Sequence, residues 1–356
     1  MSTLAEPEAR LDTLPLSPHG RLSLRARSAI YGWALLVGVL SGLLAQSWTM
    51  GVVVGALLSL VVLPGLSARV EGLRKAKDRL FTLLIQMAFA LALLPLVSVL
   101  WLIISKGISR MDAEFFTSDM PGVLGEGGGA LHAIVGTLLI TAAAAAISIP
   151  IGIMCAVYLV EYGQRSKLAR GVTLLVDVMT GIPSIVAGLF AFALFSIFFG
   201  NSIRFGLGGA VALSVLMIPV VVRSVEEMLK LVPNELREAS FALGVPRWRT
   251  VVKVVLPTAA AGIAAGVTLA IARVIGETAP LLIIAGATTS VNWDLFEGRM
   301  MSLPVFAYNS YQIPGANPDP SVARAWGAAL TLMLIVMTLN LVARVIARIY
   351  GTRSHS

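Results

Sequence analysis

The sequence is poor in the residues that build most catalytic and metal centres. It has one cysteine, Cys155, inside an apolar run, which excludes an internal disulfide framework and a two-thiolate metal cluster. Its three histidines, His19, His132 and His355, are scattered without ligand spacing. Charge is scarce, at 13% of 356 residues. No Gly-Lys dipeptide occurs, so the chain lacks the phosphate-cradling loop that ends in Gly-Lys and cannot hydrolyse ATP by that route. The first 28 residues contain Glu6, Glu8 and Asp12, a poor match to a short basic cleavable leader, so the first apolar run is expected to be retained.

What is abundant is apolar surface. Hydrophobic residues make up 57% of the chain and the mean hydropathy is +0.87, which excludes an ordinary soluble domain. A helix of about 20 apolar residues crosses the roughly 30 Å hydrocarbon core of a bilayer. Apolar runs between charge clusters predict eight spans, at 29–46, 49–66, 80–105, 131–160, 171–199, 207–223, 257–286 and 326–347. The net charge of +8 does not mark a nucleic-acid surface, because the basic residues flank apolar runs and are not interleaved with aromatics.

Those basic residues instead report topology. Of 27 Lys and Arg, only Lys106, Arg110, Arg204, Arg299 and Arg324 fall in one set of alternate loops, and Arg273 lies inside a span. The rest crowd the other side, which by the positive-inside bias is cytoplasmic and places both termini there. The first two spans form a hairpin with glycines four apart, Gly38 with Gly42 and Gly51 with Gly55, a spacing that allows close helix approach. Segments 106–130 and 287–325, on the opposite side, are long enough to be either a partner-binding surface or a lid of the protein itself.

Between the sixth and seventh spans, a polar stretch is patterned as helix, turn, helix. Pro233 and Asn234 open the first helix, Leu236, Ala239, Ser240 and Leu243 recur on one face, Gly244 breaks it, and Val245 with Pro246 starts the next. Glu238-Ala239-Ser240, then Gly244, Val254 and Leu256-Pro257, resemble the EAA loop of ABC-importer permeases, with Ser for the usual second Ala and Val for the usual Ile. The resemblance implies an all-α polytopic membrane protein of the type I, MetI-like class. It would have a six-helix permease core at 80–350 with its coupling loop at 226–257. To this are added a tail at 1–28, an accessory hairpin and basic loop at 29–79, and a short tail at 351–356. It further implies that Glu238, Ala239, Ser240, Leu243 and Gly244 form a coupling helix seated on a separate ATP-binding subunit. That partner would hold ATP and Mg, and this chain would need no cofactor of its own.

A charge at the centre of a span costs roughly 2.5–3.5 kcal/mol on insertion scales, so Arg273 and Glu277 call for a reason. Four residues apart, they are expected on one helical face, as an internal ion pair or as part of a permeation path. The segment Ala272–Leu282 is similar to the seventh-span motif of phosphate-specific permeases of the Pst system. Thr180-Gly181-Ile182-Pro183-Ser184-Ile185-Val186-Ala187-Gly188, Arg223 with Glu226 and Glu227, Leu231-Val232-Pro233 and Met301-Ser302-Leu303-Pro304 are similar to the same family. Glu277-Thr278-Ala279-Pro280-Leu281 favours its A-type over its C-type permease.

That resemblance implies a heterodimer with a C-type permease, two ATP-binding subunits and an extracytoplasmic phosphate-binding protein. Arg223 and Arg273 match arginines on the family's transport route, with Glu277 beside the second, and a guanidinium suits phosphate oxygens well. Gly181 and Pro183 are expected to break or kink the fifth span, for gating or as simple helix irregularity. Electrostatics alone leave phosphonate, sulfate or molybdate open as cargo. An ion-coupled secondary transporter would call for inverted repeats and several buried acids, and only Asp177 and Glu277 lie well inside spans.

Overall fold

The computed structural model describes residues 23–123, 125–163, 166–200, 202–315 and 318–350. The tails expected at 1–28 and 351–356 lie wholly or mostly outside the described residues. Within those residues the regular structure is helical: α1 Leu24–Leu44, α2 Trp48–Val70, α3 Leu73–Gly107, α4 Ala113–Thr117, α5 Leu131–Val157, α6 Lys167–Thr180, α7 Ser184–Phe199, α8 Gly206–Lys230, α9 Asn234–Ala242, α10 Arg247–Thr250, α11 Leu256–Val274, α12 Ala279–Ile284, α13 Leu303–Gln312 and α14 Pro318–Tyr350. Single π turns extend α5 through Tyr162 and join α10 to α11 through Val251–Val255.

Among the described residues six helices are long and apolar enough to cross a membrane, and seven if the bent pair α6 and α7 is counted as one span. Set against the eight apolar runs of the sequence, with a break or kink expected in the fifth at Gly181 and Pro183, the helices compare as follows. The apolar part of α1, Ser28–Leu44, coincides closely with the first expected run. The fifth expected span divides into α6 and α7, bent by 109°. The seventh ends at Val274 and restarts as the short α12. The sixth, conversely, runs seven residues further than expected, to Lys230.

The chain forms two compact units, residues 1–100 and 101–356. In the first, α1 and α2 meet through bare glycine backbone. A Cβ on Gly38 would stand 2.7 Å from the Gly51 carbonyl oxygen, and one on Gly42 would stand 3.2 Å from Gly51 Cα. Glycine there has a steric cause, because the helices are too close for any side chain. Beyond α2, Glu71 accepts two hydrogen bonds from Arg79, from Nε at 2.8 Å and Nη2 at 2.9 Å, which fixes the turn into α3.

In the second unit α8 is the central helix. Leu213, Met217, Val221, Val222, Val225 and Leu229 are fully or almost fully buried along it. Its neighbours approach on small residues: Gly152 of α5 sits on Val221, Gly262 and Gly266 of α11 on Met228 and Ser224, and Gly209 of α8 itself against Leu281. With little hydrophobic drive between helices in lipid, such contacts supply cohesion through dispersion.

At the Gly206 end of α8 the two long segments are built into the bundle. Asp119 Oδ2 accepts from the Val291 amide at 3.1 Å, Met120 N donates to Thr289 O at 2.9 Å, and Arg324 Nη1 donates to Gly125 O at 2.7 Å and Gly127 O at 3.0 Å. The Met301-Ser302-Leu303-Pro304 stretch is buried, with Leu303 N donating to Thr137 Oγ1 at 2.7 Å. Gly136 is essential to this fit, because any Cβ there would collide with Met301 O.

Candidate functional site

The polar loop at the opposite end of α8 is a short helix standing on two spans. Extended backbone at Pro233 (φ −57°, ψ 140°) starts α9, which closes in a left-handed Gly244 at φ 72°. Val245 N donates to Ser240 O at 3.2 Å and Gly244 N to Phe241 O at 2.9 Å, the paired bonds of a Schellman cap. Nothing lies within 4 Å of a Cβ built on Gly244, so glycine is required there by backbone conformation and not by crowding.

Arg237 fixes this helix in place. It donates to Glu161 Oε1 from Nε at 3.1 Å and from Nη2 at 2.9 Å, and to the carbonyls of Val232 at 2.6 Å and Leu229 at 2.9 Å. Glu161 is buried in the π turn that ends α5, so one arginine joins α9, the end of α8 and the end of α5. No sequence signal pointed to this pair, because 76 residues separate its members.

With the helix held from beneath, its other surface is free. Leu243 is 83% exposed and Trp248 58% exposed, with Glu238, Ala239, Phe241 and Ala242 also exposed. Glu238, Ala239, Leu243 and Gly244 thus lie at the surface, whereas Ser240, expected beside them on the coupling helix, does not. Ser240 is buried, and its hydroxyl shares a 2.8 Å hydrogen bond with that of Thr250. It ties α9 to α10 and adds nothing to the outer face. Phe241 and Trp248 contribute large exposed apolar surface to this loop.

Two broken spans meet inside the bundle. Gly181 and Pro183 occupy the break between α6 and α7, where Gly181 N bonds Val178 O at 3.1 Å and the chain turns by 109°. A second break follows Val274, with Pro280 in the first turn of α12, where its missing N–H costs no helical bond. The breaks are joined at Gly188 of α7, whose Cβ, if present, would stand 2.6 Å from Pro280 Cα.

This second break corrects the expected arrangement of Arg273 and Glu277. Arg273 is exposed in the last turn of α11, and Glu277 lies beyond the helix end with its amide bonded to Val274 O at 3.1 Å. The two do not share a helical face, and among the described residues no salt bridge joins them.

Arg223 is paired. Its Nη2 donates to Asp177 of α6 and its Nη1 to Glu226 at 2.9 Å, while Glu226 also accepts from Lys230 Nζ at 2.7 Å. Asp177 thus pins α6, just before its break, to α8. Among the described residues no cluster of three His, Cys, Asp or Glu is arranged to hold a metal.

The chain belongs to a family of membrane components of binding-protein-dependent transporters. Residues 148–355 match the family described as "Binding-protein-dependent transport system inner membrane component". The chain belongs, more narrowly, to the PstA family of phosphate transport system permeases. It is 46% identical over 284 residues to "Phosphate transport system permease protein PstA 1" of Mycobacterium tuberculosis (strain ATCC 25618 / H37Rv), covering 79% of this chain and 90% of the relative. It is 39% identical over 274 residues to PstA of Pasteurella multocida (strain Pm70), covering 76% of this chain and 95% of that one. The fold is similar to a chain in a crystal structure of a bacterial alginate ABC transporter with its periplasmic protein bound, at 13% identity and a TM-score of 0.56, covering 78% of this chain and 97% of that one. That likeness is one of fold alone.

Proposed function

We infer that this chain is the transmembrane permease subunit of an ATP-driven importer of inorganic phosphate. It forms half of the translocation path and has no catalytic activity of its own. The observation that carries the coupling part is the α9–α10 surface: a rigidly anchored helix whose exposed side offers Leu243, Phe241 and Trp248 around Glu238 and Ala239. A rigid element with an apolar exposed face transmits a push, because Arg237 and Ser240 connect it to α5, α8 and α10. The pusher is a separate ATP-binding subunit, present in two copies, which binds ATP and Mg. The phosphate cargo is inferred from the relatives' names.

The remaining partners in this reading are a PstC-like second permease, a PstS-like extracytoplasmic phosphate-binding protein and membrane lipid, with no nucleic acid. The protein is multi-pass in the bacterial cell membrane, with both termini and α9 cytoplasmic, as the basic loops favour. Residues 80–350 form the permease core, and 29–79 an accessory hairpin with its basic loop. On the path, Arg223 is a guarded cation: an anion engages it only by displacing Asp177. Arg273, beside the second break and without a carboxylate partner among the described residues, is a second contact, with Glu277 nearby in sequence.

The test is phosphate uptake with an affinity-tagged chain. Glu238→Arg is expected to abolish both co-purification of the ATP-binding subunit and uptake, leaving membrane abundance unchanged. Normal uptake by this variant would sink the coupling assignment. Competition of phosphate uptake by excess sulfate would sink the cargo assignment.

A further inference from the structure

The first unit holds two cavities outside the candidate site described above. One, of about 590 Å³, lies at the basic end of the hairpin, where Tyr31 of α1 faces Lys75, Asp78, Arg79, Thr82 and Gln86 of α3. The other, of about 500 Å³, is an apolar groove between α1 and α2 running from Tyr31 to Trp48 over the glycine contact of Gly38 and Gly51. Tyr31 lines both. The polar cavity and the apolar groove thus share one aromatic lining residue, of the type found where headgroups meet hydrocarbon.

The chamber has cationic groups to spare. Among the described residues Lys75 has no hydrogen-bond or ion-pair partner, and Arg79 gives Glu71 its Nε and Nη2, leaving Nη1 for another acceptor. In the surrounding sequence Arg69, Arg74 and Lys77 outweigh the acids Glu71 and Asp78. Basic pockets between membrane helices on the cytoplasmic side are suited to anionic headgroups. The groove adds a length criterion. From Tyr31 to Gly42 a helix rises about 17 Å at 1.5 Å per residue, close to the roughly 15 Å of hydrocarbon in one leaflet.

We propose that the two cavities together bind one anionic phospholipid of the cytoplasmic leaflet. Its phosphate rests on Lys75 Nζ and Arg79 Nη1, a headgroup hydroxyl donates to Asp78, and one acyl chain fills the groove above Tyr31. Free inorganic phosphate shares the headgroup chemistry but would leave the groove unused. The proposal depends on the membrane reading and on the basic end being cytoplasmic, and is independent of the transported cargo.

The experiment is native mass spectrometry of the intact transporter complex, exchanged from nanodiscs containing phosphatidylglycerol or phosphatidylcholine and then stripped with detergent. Phosphatidylglycerol is expected to stay bound where phosphatidylcholine washes off. Lys75→Gln removes one cation and is expected to weaken retention about fivefold, while Lys75→Arg keeps it. Ala56→Phe fills the groove and is expected to release the lipid from an assembled complex; if that variant fails to assemble, the two Lys75 variants still decide. Equal retention of both lipids, equal retention by Lys75→Gln and Lys75→Arg, or displacement of the lipid by excess inorganic phosphate would overturn the proposal. So would a photocrosslinker at Val39 that captures a polypeptide instead of lipid.

Discussion

Gly188 on α7 lies against the backbone of Pro280 on α12, so that a Cβ at position 188 would stand 2.6 Å from Pro280 Cα and 3.1 Å from its carbonyl oxygen. This contact joins two separately broken spans, and neither backbone has room to retreat without moving its helix. Gly188→Ala is therefore expected to destabilise the purified complex by about 1–3 kcal/mol, the usual cost of overpacking a tight contact. A thermal unfolding midpoint equal to wild type would show that the two helices slide freely.

Leu243 is expected to act at an interface and not in the fold. At 83% exposure it contributes little to the chain's own core. Leu243→Asp should leave the melting temperature of the isolated chain unchanged while removing most ATP-binding subunit from a pull-down. Loss of the chain itself from membranes would be the contrary result.

Ser240 is expected to behave oppositely. Its hydroxyl is buried against that of Thr250, so Ser240→Ala leaves a hydroxyl short of a partner and should cost about 1–3 kcal/mol of stability. Ser240→Ala combined with Thr250→Val removes both polar groups. A double-mutant cycle should find the pair less harmful than the sum, and strict additivity would argue against a shared bond.

Arg237 and Glu161 form the most buried ion pair of the loop, with side chains 13% and 4% exposed. Removing one partner strands a charge in a poorly solvated place, so Arg237→Ala or Glu161→Ala is expected to cost about 3–5 kcal/mol. Limited proteolysis should then cut within α9. Proteolysis of Arg237→Ala alone would mean that its bonds to the Val232 and Leu229 carbonyls hold the loop without Glu161, and resistance of both variants would mean that Arg237 does not anchor it.

Asp177→Asn and Arg223→Gln break the same α6–α8 contact, but only the second removes the cation. If Arg223 meets the anion, Arg223→Gln should lower phosphate uptake by more than about tenfold, while Asp177→Asn keeps it within a few fold; a tenfold effect corresponds to about 1.4 kcal/mol. Equal losses in both variants would assign the pair a purely structural role.

The periodicity of apolar runs and the bias of Lys and Arg were sufficient to show an all-helical membrane chain, because the bilayer imposes length and composition on each segment independently of its neighbours. The α9–Gly244–α10 turn was legible for the same local reason: Pro233, Gly244 and Pro246 act through their own backbone preferences. Hydropathy sees no break, since a bent apolar segment has the same composition as a straight one; Gly181 and Pro183 marked the break after Thr180, whereas the end of the seventh span at Val274 went unread. The fate of single side chains was equally hidden. Ser240 turned inward to Thr250, Arg273 and Glu277 were separated by a helix end, and Arg223 found Asp177 at a distance of 46 residues in sequence. Local rules fix where a helix forms and how far it reaches across a membrane. Which charge meets which, and which glycine is pressed against which proline, is decided only when the helices pack, because those energies belong to pairs of residues distant along the chain.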